Sequence, residues 1–352
     1  MAVVEQRTEN PHPERRKTNR GYCVVSIGGG TGLSTLLKGL KKYVSLPGVR
    51  PHAHPIRELC AVVTVTDDGG SSGRLRKEFN MLAPGDIRNC IVALSEDEAM
   101  LSKLFQHRFK KGSGLVGHSF GNLFLTALTS ITEDFGEAIR LSSEILRTRG
   151  RIFPVTTSHV ELEALMQDGS QVRGETKITA SKGRIEELFL IPKSAKPLPE
   201  TLDAIARADL ITIGPGSLFT SLVPNLLVPG VAQAIMRSKA IKVYVCNLMT
   251  QANESIGRSI ADHIKALNEH AKAQLFDYAL INNKLVSSKL KAKYAQETSA
   301  PIVNDLERVV KMGIRPVLGN YLEEGKVARH ATDKVAHDLM ALIAKLRAIP
   351  HP

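Results

Sequence analysis

Short apolar runs alternate with amphipathic segments along most of the chain. The runs at 24–27, 59–66, 210–213, 241–246 and 278–281 have the length and composition of buried strands. Between them, apolar residues recur at the spacing of one helix face. This alternation predicts a parallel sheet covered by helices on both faces, with ligands bound at the carboxyl ends of the strands.

Capping and stop signals place several of the helices. Ser95 and Glu98 have the spacing of a capping box, which predicts a helix from Ser95 to about 109. Gly150 is the expected end of a helix that starts near Phe135. Further helices are predicted before Leu40, after the loop 114–122, and at about 201–208, 231–238, 256–269 and 333–347.

The segment at about 152–192 differs from its surroundings. It contains an Asp168-Gly169 turn between two extended runs, which predicts a hairpin, and a further strand-like run close to 190. We interpret it as a β-rich insertion. Residues 1–20 are polar and are predicted to be a disordered arm, and residues 21–350 a single α/β domain.

The composition argues against several classes of function. The chain has no Trp and only 5% aromatic residues, which disfavours a stacking platform for single-stranded nucleic acid. The net charge of +12 is scattered along the sequence, so an anionic small ligand is preferred to nucleic acid as the partner. No apolar run approaches the ~18 residues of a membrane span. The four cysteines show no metal-ligand spacing and are expected to be buried free thiols: Cys23, Cys60, Cys90 and Cys246.

A glycine-rich turn within 24–40 is the strongest local signal. Gly29, Gly30, Thr31 and Gly32 stand between an apolar strand and an amphipathic helix, where backbone N–H groups can bind a phosphate. Leu33 stands where the dinucleotide fingerprint has its third glycine, so that fingerprint is incomplete. The turn predicts a phosphorylated ligand, with a tight turn that binds nothing as the alternative.

Two aspartates follow the second predicted strand. Asp67 and Asp68 suit the hydroxyl groups of a ribose or sugar, or a Mg²⁺ ion, or they serve only the turn itself. Ser71, Ser72 and Arg74 follow among glycines and suit a phosphate or a sugar.

Arg88 and Asn89 stand near the start of an apolar segment. The guanidinium of Arg88 suits a phosphate because it can bind two oxygens at once. An ion pair between Asp86 and Arg88 within the fold is the alternative.

The segment 117–122 contains the letters of a nucleophile elbow, G-x-S-x-G. No convincing strand precedes it, which disfavours a Ser–His–Asp hydrolase. Ser119 and Asn122 are instead expected to face a ligand from a loop that opens a helix. His118 is either a general acid or base or a hydrogen-bonding loop residue.

A second glycine turn follows the strand at 210–213. Gly214, Gly216 and Ser217 could bind another anionic group or form a plain turn. Asn247, Thr250 and Gln251 follow the next strand and offer neutral hydrogen bonds to a base or sugar, or cap the following helix. Such loops after four predicted strands are the main evidence for a site.

In this order, the motifs resemble those of the gluconeogenesis factor family, also called YvcK-like, which is related to the CofD 2-phospho-L-lactate transferases. The resemblance extends over about 24–347. The matching segments are IGGGTGLS (27–34), TDDGGSSGRLR (66–76), PGDIRN (84–89), GHSFGN (117–122), GPGSLFTS (214–221) and NLMTQ (247–251).

The resemblance implies a three-layer α/β/α fold with a mainly parallel, Rossmann-like sheet and the β-rich excursion. It also implies a cytoplasmic protein that binds UDP-N-acetylglucosamine or a related UDP-sugar and is required for normal cell shape on gluconeogenic carbon sources. CofD relatives instead transfer a phosphorus-containing group with Mg²⁺. The segment TDDGGSSG is similar to the YvcK-like form.

One departure concerns the residues after NLMTQ. Arg258 stands where relatives commonly have a Tyr against the ligand base, and Lys293, next to Tyr294, corresponds to a second basic contact. Arg258 departs from the family pattern, and its guanidinium could still stack on a uracil ring there.

Two functions compete at this point. In the first, a cofactor-free binding protein holds the diphosphate on both glycine turns and the ribose or sugar on Asp67 or Asp68. It signals to a cell-wall synthesis or regulatory protein, as a monomer or homo-oligomer. In the second, a phosphotransferase holds Mg²⁺ on Asp67 and Asp68 and uses Arg88 to stabilise developing charge.

Overall fold

The computed structural model describes residues 21–48, 52–96, 98–181 and 183–348, so the predicted arm at 1–20 lies outside the described residues. Seven parallel strands form its central sheet, in the order β10-β9-β8-β7-β1-β2-β3. The predicted parallel sheet is confirmed. These strands are β1 (Tyr22–Gly28), β2 (Ile56–Val63), β3 (Arg151–Pro154), β7 (Leu210–Ile213), β8 (Ile241–Val245), β9 (Tyr278–Asn282) and β10 (Arg315–Gly319).

Helices cover both faces of the sheet, which confirms the three-layer α/β/α architecture. Their bounds are α1 (Gly30–Leu40), α2 (Gly70–Phe79), α3 (Gly85–Leu94), α4 (Glu98–Gln106), α5 (Phe120–Thr132), α6 (Phe135–Ile145), α7 (Glu175–Ala180), α8 (Pro199–Arg207), α9 (Val223–Leu227), α10 (Val231–Arg237), α11 (Ile260–Ala271), α12 (Ser288–Ala295), α13 (Leu306–Lys311) and α14 (Thr332–Ala348).

The β-rich excursion forms a separate three-stranded antiparallel sheet. It consists of β4 (Glu161–Met166), β5 (Gln171–Arg173) and β6 (Ile185–Ile191), in the order β5-β4-β6. The hairpin predicted around Asp168-Gly169 joins β4 to β5. A small hairpin, β11 (Leu322–Glu324) with β12 (Ala328–His330), follows the central sheet.

The central strands are buried along their length because they have a strand on either side and helices above and below. Val24 and Ile27 of β1 and Ile213 of β7 are fully buried, and they are the β-branched or aliphatic residues that favour this position. The four cysteines are all buried and free, as predicted.

The prediction that Ser95 opens a helix is wrong. Ser95 ends α3: its N–H donates to the Ile91 carbonyl and its hydroxyl to the Val92 carbonyl. The helix that follows starts at Glu98. A capping box forms elsewhere, at Ser259 and Asp262 at the start of α11.

Gly150 does not end the helix predicted before it. α6 ends at Ile145, and Arg147 turns the chain with a φ of +48°. Gly150 instead lies against the sheet, where an added Cβ would be 2.9 Å from the Leu59 carbonyl oxygen. The absence of a side chain at Gly150 allows the chain to pack closely against β2, and it does not end a helix.

Among the described residues, no single helix has both the length and the apolar composition needed to cross a membrane. The segments Leu218–Leu227 and Val231–Arg237 reach that length only as a pair, and they are bent by 80° relative to each other.

Candidate functional site

The candidate site lies where the direction of strand order reverses. From β1 the chain proceeds to β2 and β3 on one side, and β7 then continues to β8, β9 and β10 on the other. In open parallel sheets such a switch point leaves a crevice at the carboxyl ends of the two central strands. The two glycine turns follow β1 and β7, so they face each other across this crevice.

The first glycine turn, residues 29–32, is packed tightly against the second. Gly30 has a φ of +61°, and a Cβ on Gly32 would lie 2.2 Å from the Pro215 carbonyl oxygen. Gly29 caps α1 without a side-chain hydrogen bond. The first N–H groups of a helix have no partner within it, and Thr31, which is exposed, and Gly32 belong to this first turn of α1.

A carboxyl group already lies beside the first turn. Asp86 accepts a hydrogen bond from the Gly30 N–H. Burial raises the pKa of Asp86 to about 7; Asp67 adds to the rise, whereas the Gly30 N–H and Arg88 oppose it. At neutral pH Asp86 therefore holds a proton for part of the time.

Further acidic groups lie near Asp86 and form an acidic wall with it. Burial raises the pKa of Glu175 to about 7, and the nearby Asp67, Asp68 and Asp86 contribute to the rise. Asp67 accepts the Gly69 N–H at 2.9 Å. An acidic wall of this kind favours hydroxyl donors over further anions.

Asp68 is held away from Asp67 by the β-rich excursion. Its Oδ1 accepts the Thr176 N–H at 2.8 Å and the Thr176 hydroxyl at 2.6 Å. Carboxylates are the donors that Mg²⁺ prefers, yet among the described residues no group of three or more Asp, Glu, His or Cys side chains is arranged to hold a metal.

Arg88 joins two of the sequence motifs through buried hydrogen bonds. One of its terminal nitrogens donates to the Ser119 hydroxyl at 2.7 Å and to Asn122 Oδ1 at 3.1 Å, and the other donates to Asn89 Oδ1 at 2.8 Å. Ser119 is also the N-cap of α5 and accepts the Asn122 N–H. The ion pair with Asp86 considered from sequence is replaced by these neutral contacts.

A hydroxyl–imidazole pair completes the network. Ser71 Oγ lies 2.9 Å from His118 Nδ1 and accepts from Asn122 Nδ2 at 3.1 Å. Burial lowers the pKa of His118, and Arg74 lowers it further. Ser71, Ser72, His118, Ser119 and Asn122 are all buried, and none of them lines the cavity described below.

Arg74 lies at the edge of this region. Its guanidinium donates to the Val116 carbonyl at 2.7 Å on the exposed loop before α5. This contact holds the loop and leaves the remaining nitrogens exposed to solvent.

The second glycine turn, residues 214–217, is bonded to the loop that follows β8. Gly214 has a φ of +85°, and a Cβ there would lie 2.7 Å from the Val245 carbonyl oxygen. Gly216 donates to Asn247 Oδ1 at 3.1 Å and accepts from Asn247 Nδ2 at 2.7 Å. The Ser217 hydroxyl donates to Gln251 Oε1 at 2.7 Å. The two predicted ligand-binding segments therefore satisfy many of their hydrogen-bonding groups with each other.

The N–H groups after this turn have a partner within the protein. Glu254 Oε1 accepts the Thr220 N–H at 2.8 Å, and the N–H groups of Leu218 and Phe219 also point at this carboxyl group. These residues form one turn of π-helix, Leu218–Leu222, ahead of α9. The anion at this helix start is thus an internal one.

An open cavity of 290 Å³ lies between the two turns and the loop after β8. It brings together predicted residues from three motifs: Thr31, Gly32, Gly216, Asn247, Thr250 and Gln251. Thr250 is tied to Ala300 by three hydrogen bonds, two of which use its hydroxyl group.

Four polar lining residues were not predicted as site residues. Thr35 lies on α1, and Tyr294, Arg329 and His330 reach the cavity from α12 and β12. Tyr294 accepts the Ala328 N–H at 3.1 Å, and His330 Nε2 lies 3.0 Å from the Cys246 carbonyl oxygen. Burial lowers the pKa of His330 to about 4, so it is neutral at pH 7. The segments that carry Tyr294 and His330 contain no glycine motif, and only the Lys293-Tyr294 pair drew attention to the first of them.

Arg258 and Lys293 lie apart from this cavity. The Arg258 guanidinium lies 5.1 Å from the centre of the Phe219 ring and donates to the Ile185 carbonyl at 3.1 Å. It lines a different cavity, of 310 Å³, between α11 and β6. Lys293 donates to the Lys326 carbonyl at 2.6 Å. The structure does not bring Arg258 to the residues expected to read a base.

Comparison with known proteins agrees with this architecture. Residues 24–322 match the family described as 2-phospho-L-lactate transferase CofD. The gluconeogenesis factor of Halalkalibacterium halodurans is 46% identical over 318 residues, which span 90% of this chain and 95% of that protein. The chain belongs to the gluconeogenesis factor branch of the CofD family.

Other members of the branch match as closely. The gluconeogenesis factor of Bacillus subtilis is 45% identical, with 91% of this chain and 98% of that protein covered. The crystal structure of protein BH3568 from Bacillus halodurans superposes with a TM-score of 0.86 at 45% identity, covering 91% of this chain and all of that one. The family named from the motifs is confirmed, as is the fold.

Proposed function

We propose that this protein binds a UDP-sugar of the UDP-N-acetylglucosamine type in the 290 Å³ cavity at the switch point. The observation that carries the proposal is the meeting of the α1 N-terminus, at Thr31 and Gly32, with a row of neutral hydrogen-bonding groups in one cavity. The first turn supplies the α1 N–H groups for the diphosphate. Asn247, Gln251 and Tyr294 supply neutral groups for the uridine or sugar.

The acidic wall supports a hydroxyl-rich ligand. Asp67 and Glu175 lie near the first turn, where a ribose or sugar would offer hydroxyl donors to carboxylates. The role in cell shape, the cytoplasmic location, and signalling to a cell-wall or regulatory partner belong to the same proposal. They would follow from a protein that reports the level of a cell-wall precursor.

The competing function is a Mg²⁺-dependent phosphotransferase. The family description and the carboxyl groups of Asp67, Asp86 and Glu175 favour it. The two functions differ in their need for metal and in turnover.

Calorimetric titration with UDP-N-acetylglucosamine, first with EDTA and then with Mg²⁺, tests the proposal. Stoichiometric binding under both conditions, without conversion of the ligand, is the expected result. Binding that requires Mg²⁺ and is followed by turnover would favour the transferase, and no binding in either buffer would overturn the UDP-sugar proposal.

A charge placed at the first turn locates the ligand phosphate. Thr31→Asp puts a carboxylate where it stabilises the α1 N-terminus but repels a phosphate, so affinity is expected to fall about tenfold or more while stability is kept. Ser288→Asp, an exposed first-turn position of α12, is the matched control and should leave affinity unchanged.

A further inference from the structure

Glu254 stands out among the acidic residues because it is almost completely buried. Its relative exposure is 5%, and it follows the loop that carries Asn247, Thr250 and Gln251. Burial raises its pKa to about 7, while three backbone N–H groups of Leu218–Thr220 oppose the rise. One of its oxygens, Oε2, is buried without a hydrogen-bond partner among the described residues.

The contacts of Glu254 link two walls of the cavity. Its Oε1 accepts the Thr220 N–H directly after the second glycine turn. The neighbouring Ser255 accepts the Gln251 N–H at 2.9 Å, and Gln251 in turn accepts the Ser217 hydroxyl. The backbone of Glu254 adjoins this chain of hydrogen bonds, which ends at the cavity, while its carboxyl group holds the segment after the second turn.

A buried carboxyl with one unpaired oxygen is a poor way to stabilise a fold. A helix start offers an anion site, however, and here an internal carboxylate fills it. The second turn is thereby closed to a ligand anion, whereas the α1 N-terminus lies at the open cavity.

We propose that Glu254 is a positioning residue: its buried carboxyl group accepts the N–H groups after the second glycine turn and fixes that turn relative to the loop 247–251, so that the ligand phosphate binds at the first turn alone. This inference rests on the proposed UDP-sugar function. Glu254 itself does not line the cavity; it sets the spacing of Gly216 and Gln251, which do.

Two variants and an added carboxylate test this role by calorimetry with UDP-N-acetylglucosamine. Glu254→Gln keeps an oxygen for the Thr220 N–H and is expected to stay within about threefold of the wild-type affinity. Glu254→Ala removes the internal anion and is expected to lose about tenfold or more. Formate is a small carboxylate that can occupy the space left by the Glu254 side chain. At tens of millimolar it should recover much of the lost affinity.

Formate should not improve binding to wild-type protein or to Thr250→Ala, which weakens the cavity wall without opening an anion site. Unchanged affinity in Glu254→Ala, or a loss that formate does not repair, would overturn the proposal. If Glu254→Ala does not fold, Glu254→Asp takes its place, since its shorter side chain withdraws from Thr220. Equal affinity of the Asp and Gln variants would then contradict the proposal.

Hydrogen exchange separates this inference from the proposed function. Faster exchange of the Leu218, Phe219 and Thr220 amides is expected in Glu254→Ala and not in Glu254→Gln, whether or not a ligand binds. Slow exchange in both variants would refute the positioning role. Fast exchange in Glu254→Ala, together with no UDP-sugar binding by the wild type, would support the positioning role of Glu254. The same result would overturn the UDP-sugar proposal.

Discussion

The two glycine turns have similar sequences and similar positions but different partners. Both follow a buried central strand and open a helical segment at the switch point. At the first, Asp86 engages the Gly30 N–H while Thr31 and Gly32 lie at the open cavity. At the second, Glu254 holds the helix start and is sealed from solvent.

The difference shows that a glycine turn creates a backbone able to bind an anion but does not select that anion. Selection depends on which distant side chain the fold brings to the N–H groups. Asp86 reaches the first turn from α3, and Glu254 reaches the second from the loop after β8. The following variants test this difference between the turns.

The largest effect is expected from Gly32→Ala in the first turn. The added Cβ would lie 2.2 Å from the Pro215 carbonyl oxygen, so the two turns must separate. The free energy of unfolding, measured by denaturant titration, should fall by about 3 kcal/mol, and UDP-sugar affinity should fall with it. Gly325→Ala, where the nearest atom is 4.0 Å away, is the control. Wild-type stability of Gly32→Ala would show that the turns are not packed as described.

A smaller, pH-dependent effect is expected for Asp86→Asn. Because the pKa of Asp86 is raised in the folded state, the unfolded chain loses this proton first as the pH rises, and stability falls between about pH 4 and 7. Asn still accepts the Gly30 N–H but does not titrate. The free energy of unfolding of the variant minus that of the wild type should therefore be larger at pH 8 than at pH 5, by about 1 kcal/mol or more. A difference that is the same at both pH values would contradict the raised pKa.

In the second turn, Ser217→Ala removes the hydroxyl bond to Gln251. A loss of about 1 kcal/mol in stability is expected, with affinity reduced a few-fold because Gln251 lines the cavity. Ser130→Ala removes a comparable hydroxyl bond within α5, far from the cavity, and should change stability alone. Equal affinities of the two variants would show that the Ser217–Gln251 contact does not shape the site.

The smallest effect on binding is expected for Arg258→Ala. The guanidinium packs on Phe219 and bonds to Ile185, so its loss should lower stability by about 1 kcal/mol and leave UDP-sugar affinity within twofold of wild type. Calorimetry and denaturant titration measure the two effects separately. A tenfold loss of affinity would place Arg258 at the ligand after all, as the resemblance implied.

The sequence predicted those parts of the molecule that depend on local pattern. The parallel sheet follows from runs such as that at 210–213, and the first turn follows from consecutive glycines. Ser95 was misjudged because a capping-box spacing does not reveal that the same serine ends the preceding helix. Partners distant in sequence, such as Tyr294 or Glu254 with Thr220, carry no local signal and appear only when the chain is folded.

Backbone amide shifts, recorded by NMR during titration with UDP-N-acetylglucosamine, test the central claim most directly. Large changes are expected at Thr31 and Gly32, where a phosphate would meet free helix N–H groups, and small ones at Leu218, Phe219 and Thr220, which Glu254 already holds. Large changes at the second turn with none at the first would contradict the account.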